Sequence, residues 1–338
     1  MAKRWGRLLA RILGYGFLVL LVLLAVAITF TVGWRPIIGA KKRALTTRTF
    51  EATPARLHRG EYLVDAVINC MGCHAKHDEK ADPPVLLSKE GAGNVLYDDG
   101  NFRLVAANIT PDPDTGIGKW SDDAIARAIR EGIAADGRTL FPAMPYERFR
   151  NMSDEDVASI VVFLRSLPPV HSDLPPAKIP FVFARLVQSV PQPVTEPVTE
   201  PDVSTPVKRG TYLLKIATCR DCHTPRDPKF NVIPGLEMAG GAPMDSGVFS
   251  ANLTPDASGI GYYDEALFIE TIRTGYVGAR KLNSIMPWWA FRNMTDDDLK
   301  AVFAYLRTLK PVHHLVDNAE PPTLCKLCNH KHGGGDHN

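Results

Sequence analysis

The sequence predicts a mostly α-helical chain: one membrane-crossing helix, then the same small helical domain twice. Three observations carry this. An uncharged apolar run lies near the N-terminus, a set of motifs recurs after about 145 residues, and apolar side chains at the end of each copy follow a helical spacing.

The 338 residues include 39 Lys+Arg and 37 Asp+Glu, a net charge of +2, with 45% hydrophobic and 22% charged residues. That balance excludes a largely disordered or collagen-like chain and gives no reason to expect nucleic acid as a partner. The charge is unevenly placed. Residues 1–50 carry nine Lys/Arg and no acid, so the remainder holds 30 basic and 37 acidic residues. The acidic remainder is suited to steering basic partners.

Ile12 to Trp34 is 23 residues without a charge. At about 1.5 Å per residue this makes roughly 34 Å of helix, enough for a hydrocarbon core of about 30 Å. Lys3, Arg4, Arg7 and Arg11 would also suit the n-region of a cleaved signal peptide, but such a peptide has an apolar stretch of only about 7–15 residues. An uncleaved anchor (12–34) is therefore expected, with Trp5 and Trp34 at the interfaces. Basic residues flank both ends, so charge counting leaves its orientation open.

The repeat follows. RGEYLVDAVINCMGCH (59–74) matches RGTYLLKIATCRDCH (209–223), and ANITPD (107–112) matches ANLTPD (251–256). Gly116-Ile117-Gly118 matches Gly259-Ile260-Gly261, and MPYERFRNMSDEDVASIVVFLRSLPPV (144–170) matches MPWWAFRNMTDDDLKAVFAYLRTLKPV (286–312). In each copy a helix should run into the cysteine motif, and a second (about 121–131 and 264–274) should close at Gly132 or Gly275. A third should start at the N-caps Ser153 or Thr295 and stop at Pro168-Pro169 or Pro311. Val157, Ile160, Val161 and Leu164, and likewise Leu299, Val302, Phe303 and Leu306, fall on one face of that last helix. The expected domains are 51–171 and 207–314. Between them, 172–206 carries eight prolines and reads as a semi-rigid extended linker. Within it, Lys178–Val190 is apolar enough to pack.

All six cysteines lie in C-x-x-C pairs. Cys70-Met71-Gly72-Cys73-His74 and Cys219-Arg220-Asp221-Cys222-His223 have the C-x-x-C-H form by which haem c is attached. Two thiols one turn apart can add to the two vinyl groups of a porphyrin, and the adjacent His74 or His223 can then ligate the iron. A zinc knuckle or a redox dithiol is the alternative for either copy alone. Each copy has two candidates for the opposite axial ligand. Met152 and Met294 sit at N′ of a capped helix and suit a hydrophobic staple. Met144 and Met286, in rigid Met-Pro loops, are the expected iron ligands. His/Met ligation raises the potential, since a thioether favours Fe(II). His58, His77, His171, His313 and His314 read as surface residues.

The set R-G-x-Y-L, C-x-x-C-H, A-N-[IL]-T-P-D, G-I-G, M-P-[YW] and L-R-[ST]-L resembles the multihaem cytochrome c subunits of bacterial membrane-bound dehydrogenases of the alcohol, aldehyde and gluconate type. The resemblance covers 59–170 and 209–312. It implies two tandem class I cytochrome c-like domains with two covalently bound haem c. It implies electron transfer from a periplasmic or membrane-bound dehydrogenase subunit toward quinone, an oxidase or a soluble cytochrome. Members often carry three haem motifs and a C-terminal anchor, whereas this chain shows two motifs and an N-terminal apolar segment. Haem c is attached on the outer face of the bacterial membrane. The expected placement is therefore the inner membrane, N-terminus cytoplasmic and haem domains periplasmic. With both axial positions filled, electron transfer rather than catalysis is expected. The competing readings are a dihaem enzyme of the peroxidase or thiosulfate-oxidising type, and a metal-capturing assembly or binding module.

The third pair, Cys325-Lys326-Leu327-Cys328-Asn329-His330-Lys331-His332, has no adjoining His and no Met-Pro loop after it. Residues 315–338 read as a flexible tail. A metal site of Cys325, Cys328, His330 and His332 is the alternative.

Overall fold

The computed structural model describes residues 2–78, 81, 84–86, 91–228, 230–244 and 247–333; the last five tail residues lie outside these. Helix α1 (Ala2–Phe30) extends the apolar run back through Ala2–Arg11, which is rich in strong helix formers. It ends at Phe30 rather than Trp34, and Gly33 (φ +70°) turns the chain into the short α2 (Arg35–Ile38). Within Arg4–Phe30 the most apolar 18-residue stretch has a mean hydropathy of 2.7, and none of it is buried.

The first half contains α3 (Pro54–Tyr62), α4 (Met71–His74), α5 (Asp122–Glu131), α6 (Tyr146–Phe149) and α7 (Asp154–Ser166). After α8 (Phe181–Leu186), the second half repeats the order as α9 (Pro206–Ile216), α10 (Cys219–His223), α11 (Glu265–Thr274), α12 (Trp288–Phe291) and α13 (Asp296–Leu306). Strands are short and form two-stranded antiparallel hairpins, the longest joining β1 (Asn94–Asp98) to β2 (Arg103–Ala106).

Local chemistry sets the ends of these helices. Thr53, Ser121, Ser153, Thr205, Asp264 and Thr295 each accept a hydrogen bond from a first-turn amide three residues on. Pro54 and Pro206 occupy first-turn positions where no amide hydrogen is needed. Gly132 (φ +70°) and Gly275 (φ +77°) close α5 and α11 in the left-handed conformation. A Cβ at either would strike the ring of Tyr146 or Trp288, so each glycine also seats the aromatic residue of a Met-Pro loop.

One irregularity separates the halves. Arg59 and Cys70 are one residue further apart than Arg209 and Cys219. The extra residue is absorbed in a π-helical turn at Leu63–Val67, where the Ile68 amide bonds the Leu63 carbonyl at 2.9 Å. α9 runs to Ile216 without such a turn.

The R-G-x-Y-L motif places the first helix of each half across the last. Gly60 and Gly210 lie where a Cβ would collide with the backbone carbonyls of Ser159 on α7 and Ala301 on α13. Arg59 binds Asp156 through two nitrogens (2.7 and 2.9 Å), and Arg209 pairs with Asp298 at the equivalent place. The tyrosines cross between halves. The Tyr62 hydroxyl donates to Asp298 and accepts the Thr295 amide, while the Tyr212 hydroxyl donates to Asp156 (2.6 Å) and accepts the Ser153 amide. Burial first, then the neighbouring carboxylate, pushes Tyr62 up to about 12. Leu63, Val64, Ile160, Leu213, Leu214, Leu299 and Leu306 complete one apolar core that is continuous through both halves.

Part of 172–206 is helical rather than extended. α8 packs on α2, and Arg185 donates to the Ile37 carbonyl. Gln188 accepts from the Ala40 amide (3.2 Å) and the Thr139 hydroxyl (2.9 Å). Phe181, Val182 and Phe183 remain exposed beside Ile37 and Ile38, which are also exposed. The segment after α2 lies along α5. Arg43 pairs with the buried Asp123 (2.7 Å) and Glu131 (2.7 Å), and the Thr46 and Phe50 amides bond Asp123 and Asp122. Burial alone would raise the Asp123 carboxyl, but Arg43 and the Thr46 amide hold it below the usual carboxylate range. Burial outweighs Arg43 at Glu131 and pushes that carboxyl up.

Both kinds of contact can be tested by substitution. Gly60→Ala or Gly210→Ala should destabilise by about 1–3 kcal/mol, because the helices must part; thermal unfolding followed by far-UV circular dichroism checks this, and an unchanged midpoint refutes it. The depressed Asp123 carboxyl supplies stability above its unfolded pKa that is lost as pH falls through the folded value. Arg43→Ala should cost about 3–5 kcal/mol at neutral pH by leaving buried acids uncompensated. The loss should shrink in acid, as denaturant unfolding at several pH values would show.

Candidate redox and metal sites

α4 and α10 are single turns that bring the paired cysteines to one side with the histidine at the C-terminal end. Cys70 and Cys219 pack against the apolar core, Cys222 is half-buried and Cys73 is exposed. Burial, followed by the neighbouring thiol, pushes Cys70 and Cys219 up to about 12.

The histidines are held by the A-N-[IL]-T-P-D segments. His74 Nδ1 lies 2.6 Å from the Ala107 carbonyl, and His223 Nδ1 lies 2.7 Å from that of Ala251. Each carbonyl requires a donor, so Nδ1 carries the hydrogen and Nε2 offers its lone pair. Burial lowers both imidazole pKa values, the carbonyl bond opposing it, which keeps that lone pair free. The rest of the motif fixes the carbonyls in place. Asn108 accepts from the amide and hydroxyl of Thr110 and donates to the Val170 carbonyl; Asn252 repeats this with Thr254 and Val312. Arg165, from the L-R-S-L segment, donates to the Ile117 carbonyl of the G-I-G loop (3.1 Å). The sequence marks these segments by repetition; that each carries the carbonyl orienting a histidine needs the folded chain.

Met144 and Met286 are partly buried and pack against the core that also receives Cys70 and Cys219. Met152 and Met294 are 0% and 6% exposed. They precede Ser153 and Thr295, whose side chains cap α7 and α13, in the arrangement of a hydrophobic staple. Beside Met286, the Trp288 indole nitrogen is buried and has no hydrogen-bond partner among the described residues. A buried donor left this way suits an acidic group of a bound cofactor, such as a porphyrin carboxylate.

The two sites adjoin. Arg148, from the first Met-Pro loop, binds Asp221 between Cys219 and Cys222 (2.5 and 2.9 Å). His77, three residues past His74, meets the ring of Trp289 edge-on at 6.0 Å.

The third pair lies in a different setting. Cys325, Cys328 and His332 gather with His314, and one ligand atom from each falls within 4.8 Å of all the others. His314, expected at the surface, is 2% exposed, because the tail folds back over it. His330 takes no part in this cluster; its Nδ1 lies 3.2 Å from the Gly241 carbonyl. Of the other histidines expected at the surface, His58, His171 and His313 are exposed and His77 is half-buried.

Comparison with known proteins bears on these arrangements. Residues 57–168 match the cytochrome c family model. The chain is 32% identical to a nicotinate dehydrogenase subunit of Pseudomonas putida over 79% of its length, spanning 22% of that protein. It is 30% identical to the fructose dehydrogenase cytochrome subunit of Gluconobacter japonicus over 80% of its length, spanning 56% of it. It is also 30% identical to the cytochrome c subunit of quinone alcohol dehydrogenase of Gluconacetobacter polyoxogenes over 85% of its length, spanning 68% of it. It thus spans about a fifth to two thirds of these relatives. A cytochrome c domain carries covalently bound haem c and transfers electrons, and the oriented histidines suit that group. The chain belongs to the family of cytochrome c subunits of quinone alcohol, fructose and gluconate dehydrogenases, which also includes a dihaem c-type cytochrome.

Proposed function

We propose that the chain is a membrane-anchored periplasmic dihaem cytochrome that carries electrons one at a time from a dehydrogenase partner toward the respiratory chain. The observation that carries this reading is the duplicated site. In each half, a C-x-x-C-H turn has its histidine Nδ1 on a carbonyl and a Met-Pro loop packed on the same core. Each haem supplies a one-electron Fe(III)/Fe(II) couple. In domain 51–171, Cys70 and Cys73 would hold the group covalently, and His74 and Met144 would supply its iron with one nitrogen and one sulfur donor. In domain 207–314, Cys219, Cys222, His223 and Met286 would have the same roles. Buried surroundings and rigid loops limit rearrangement when charge changes.

The contact of Arg148 with Asp221 supports transfer between the two sites within one molecule. The exposed apolar α1 supports the anchor, and covalent haem attachment outside the inner membrane supports a cytoplasmic N-terminus. The donor is read as a periplasmic or membrane-bound dehydrogenase subunit. The acceptor is read as quinone, an oxidase or a soluble cytochrome.

Membranes from cells that mature c-type cytochromes should yield a chain with two haems by pyridine haemochrome assay. Cys70→Ser with Cys73→Ser, or Cys219→Ser with Cys222→Ser, should each halve that content; full content in either variant refutes the assignment. Met144→Ala and Met286→Ala should each remove the sulfur-to-iron band of one haem and lower its potential. An unchanged ligand-field spectrum in both would favour the dihaem-enzyme reading. Gentle detergent extraction should bring a dehydrogenase subunit along, and a chain that consistently purifies alone counts against that partner.

A further inference from the structure

We propose that His314, Cys325, Cys328 and His332 form a structural zinc site that fastens the C-terminal tail to the second half. This does not depend on the electron-transfer reading.

The donor set and its spacing point to the metal. His314 Nε2 lies 3.3 Å from Cys325 Sγ and 3.1 Å from His332 Nε2. A tetrahedral zinc ion with bonds of about 2.0–2.3 Å has ligand–ligand edges of roughly 3.3–3.8 Å, so the cluster is close to that size. Two thiolates with two imidazoles in this geometry favour zinc over the oxygen-seeking cations. Their two negative charges would balance its two positive ones.

The surroundings are built for a bound ion. His314 Nδ1 lies 2.9 Å from the Ala239 carbonyl, so Nε2 presents its lone pair to the cluster. The Leu327 amide approaches Cys325 Sγ at 3.4 Å, a donor suited to a thiolate. Asn329, directly after the second cysteine, adopts φ +59°, which lets the turn close so that the Cys325 amide reaches the His330 carbonyl at 2.9 Å. The flanking residues pair as a hairpin of β3 (Thr323–Leu324) and β4 (Lys331–His332), which delivers His332 to the cysteines. A cleft with Asp317 and Glu320 in its wall leads to the cluster and gives a cation a path in.

The two halves differ at this place. His314 and Ser172 are equivalent: their amides bond Ser258 Oγ and Thr115 Oγ1 in corresponding turns. Gly241 stands where the first half has Asn94, and a Cβ there would strike the His314 ring at 2.6 Å and lie 3.5 Å from Cys328 Sγ. The second half thus carries both an added ligand and a residue small enough to admit it.

The test is metal analysis of the untagged, haem-loaded full chain, with zinc-edge X-ray absorption. The expected result is one zinc per chain with two sulfur and two nitrogen neighbours. His314→Ala and Cys328→Ser should lose most of the zinc and keep both haems, whereas His330→Ala should keep both zinc and haem. Zinc lost in His330→Ala and kept in His314→Ala would overturn the ligand set. A wild-type chain without zinc, two mass units lighter through a Cys325–Cys328 disulfide, would overturn the site. Wild-type stoichiometry and absorption decide the matter even if a variant fails to fold.

Discussion

Two helices can cross at backbone contact only where no side chain stands between them. Gly60 against Ser159 and Gly210 against Ala301 meet that condition, and the rest of each half is arranged around it. The close crossing puts Arg59 on Asp156 and Arg209 on Asp298, so a buried carboxylate gains its counter-charge at the helix it must face. It also fixes where the first helix ends, and therefore where the cysteine turn begins. The position of each reactive histidine is inherited from a contact more than ten residues earlier in the chain.

The helical framework was largely legible in the sequence. Ser153 and Thr295, the glycines at 132 and 275, and the apolar spacing after each cap specify α5, α7, α11 and α13, because local chemistry fixes their ends. The π-helical turn at Leu63–Val67 was visible only as a one-residue mismatch between copies, and a mismatch does not say how the backbone will absorb it. The helical part of 172–206 was obscured by its prolines; α8 forms where they are absent and packs against α2, a partner distant in sequence.

The sites were legible to different degrees. C-x-x-C-H marks the cysteines and the histidine that one turn brings together, and the structure adds the carbonyls of Ala107 and Ala251 that orient the histidines. The tail cluster was only half visible. Cys325, Cys328 and His332 are near one another in sequence, so spacing could suggest them, but spacing also suggested His330. His314 is the nearest donor in space because the tail folds back toward the end of the second half, and only tertiary packing could reveal that.

The exchange of Tyr62 and Tyr212 across the two halves bears on how such a molecule can evolve. Each tyrosine satisfies a carboxylate belonging to the other half, and each receives an amide from the same place. A half cut free would leave a buried acid short of a donor and expose its share of a common core. Duplication here has produced mutual dependence rather than a spare copy. Neither unit can be shed by truncation or traded singly into another protein without redesign of the face it loses.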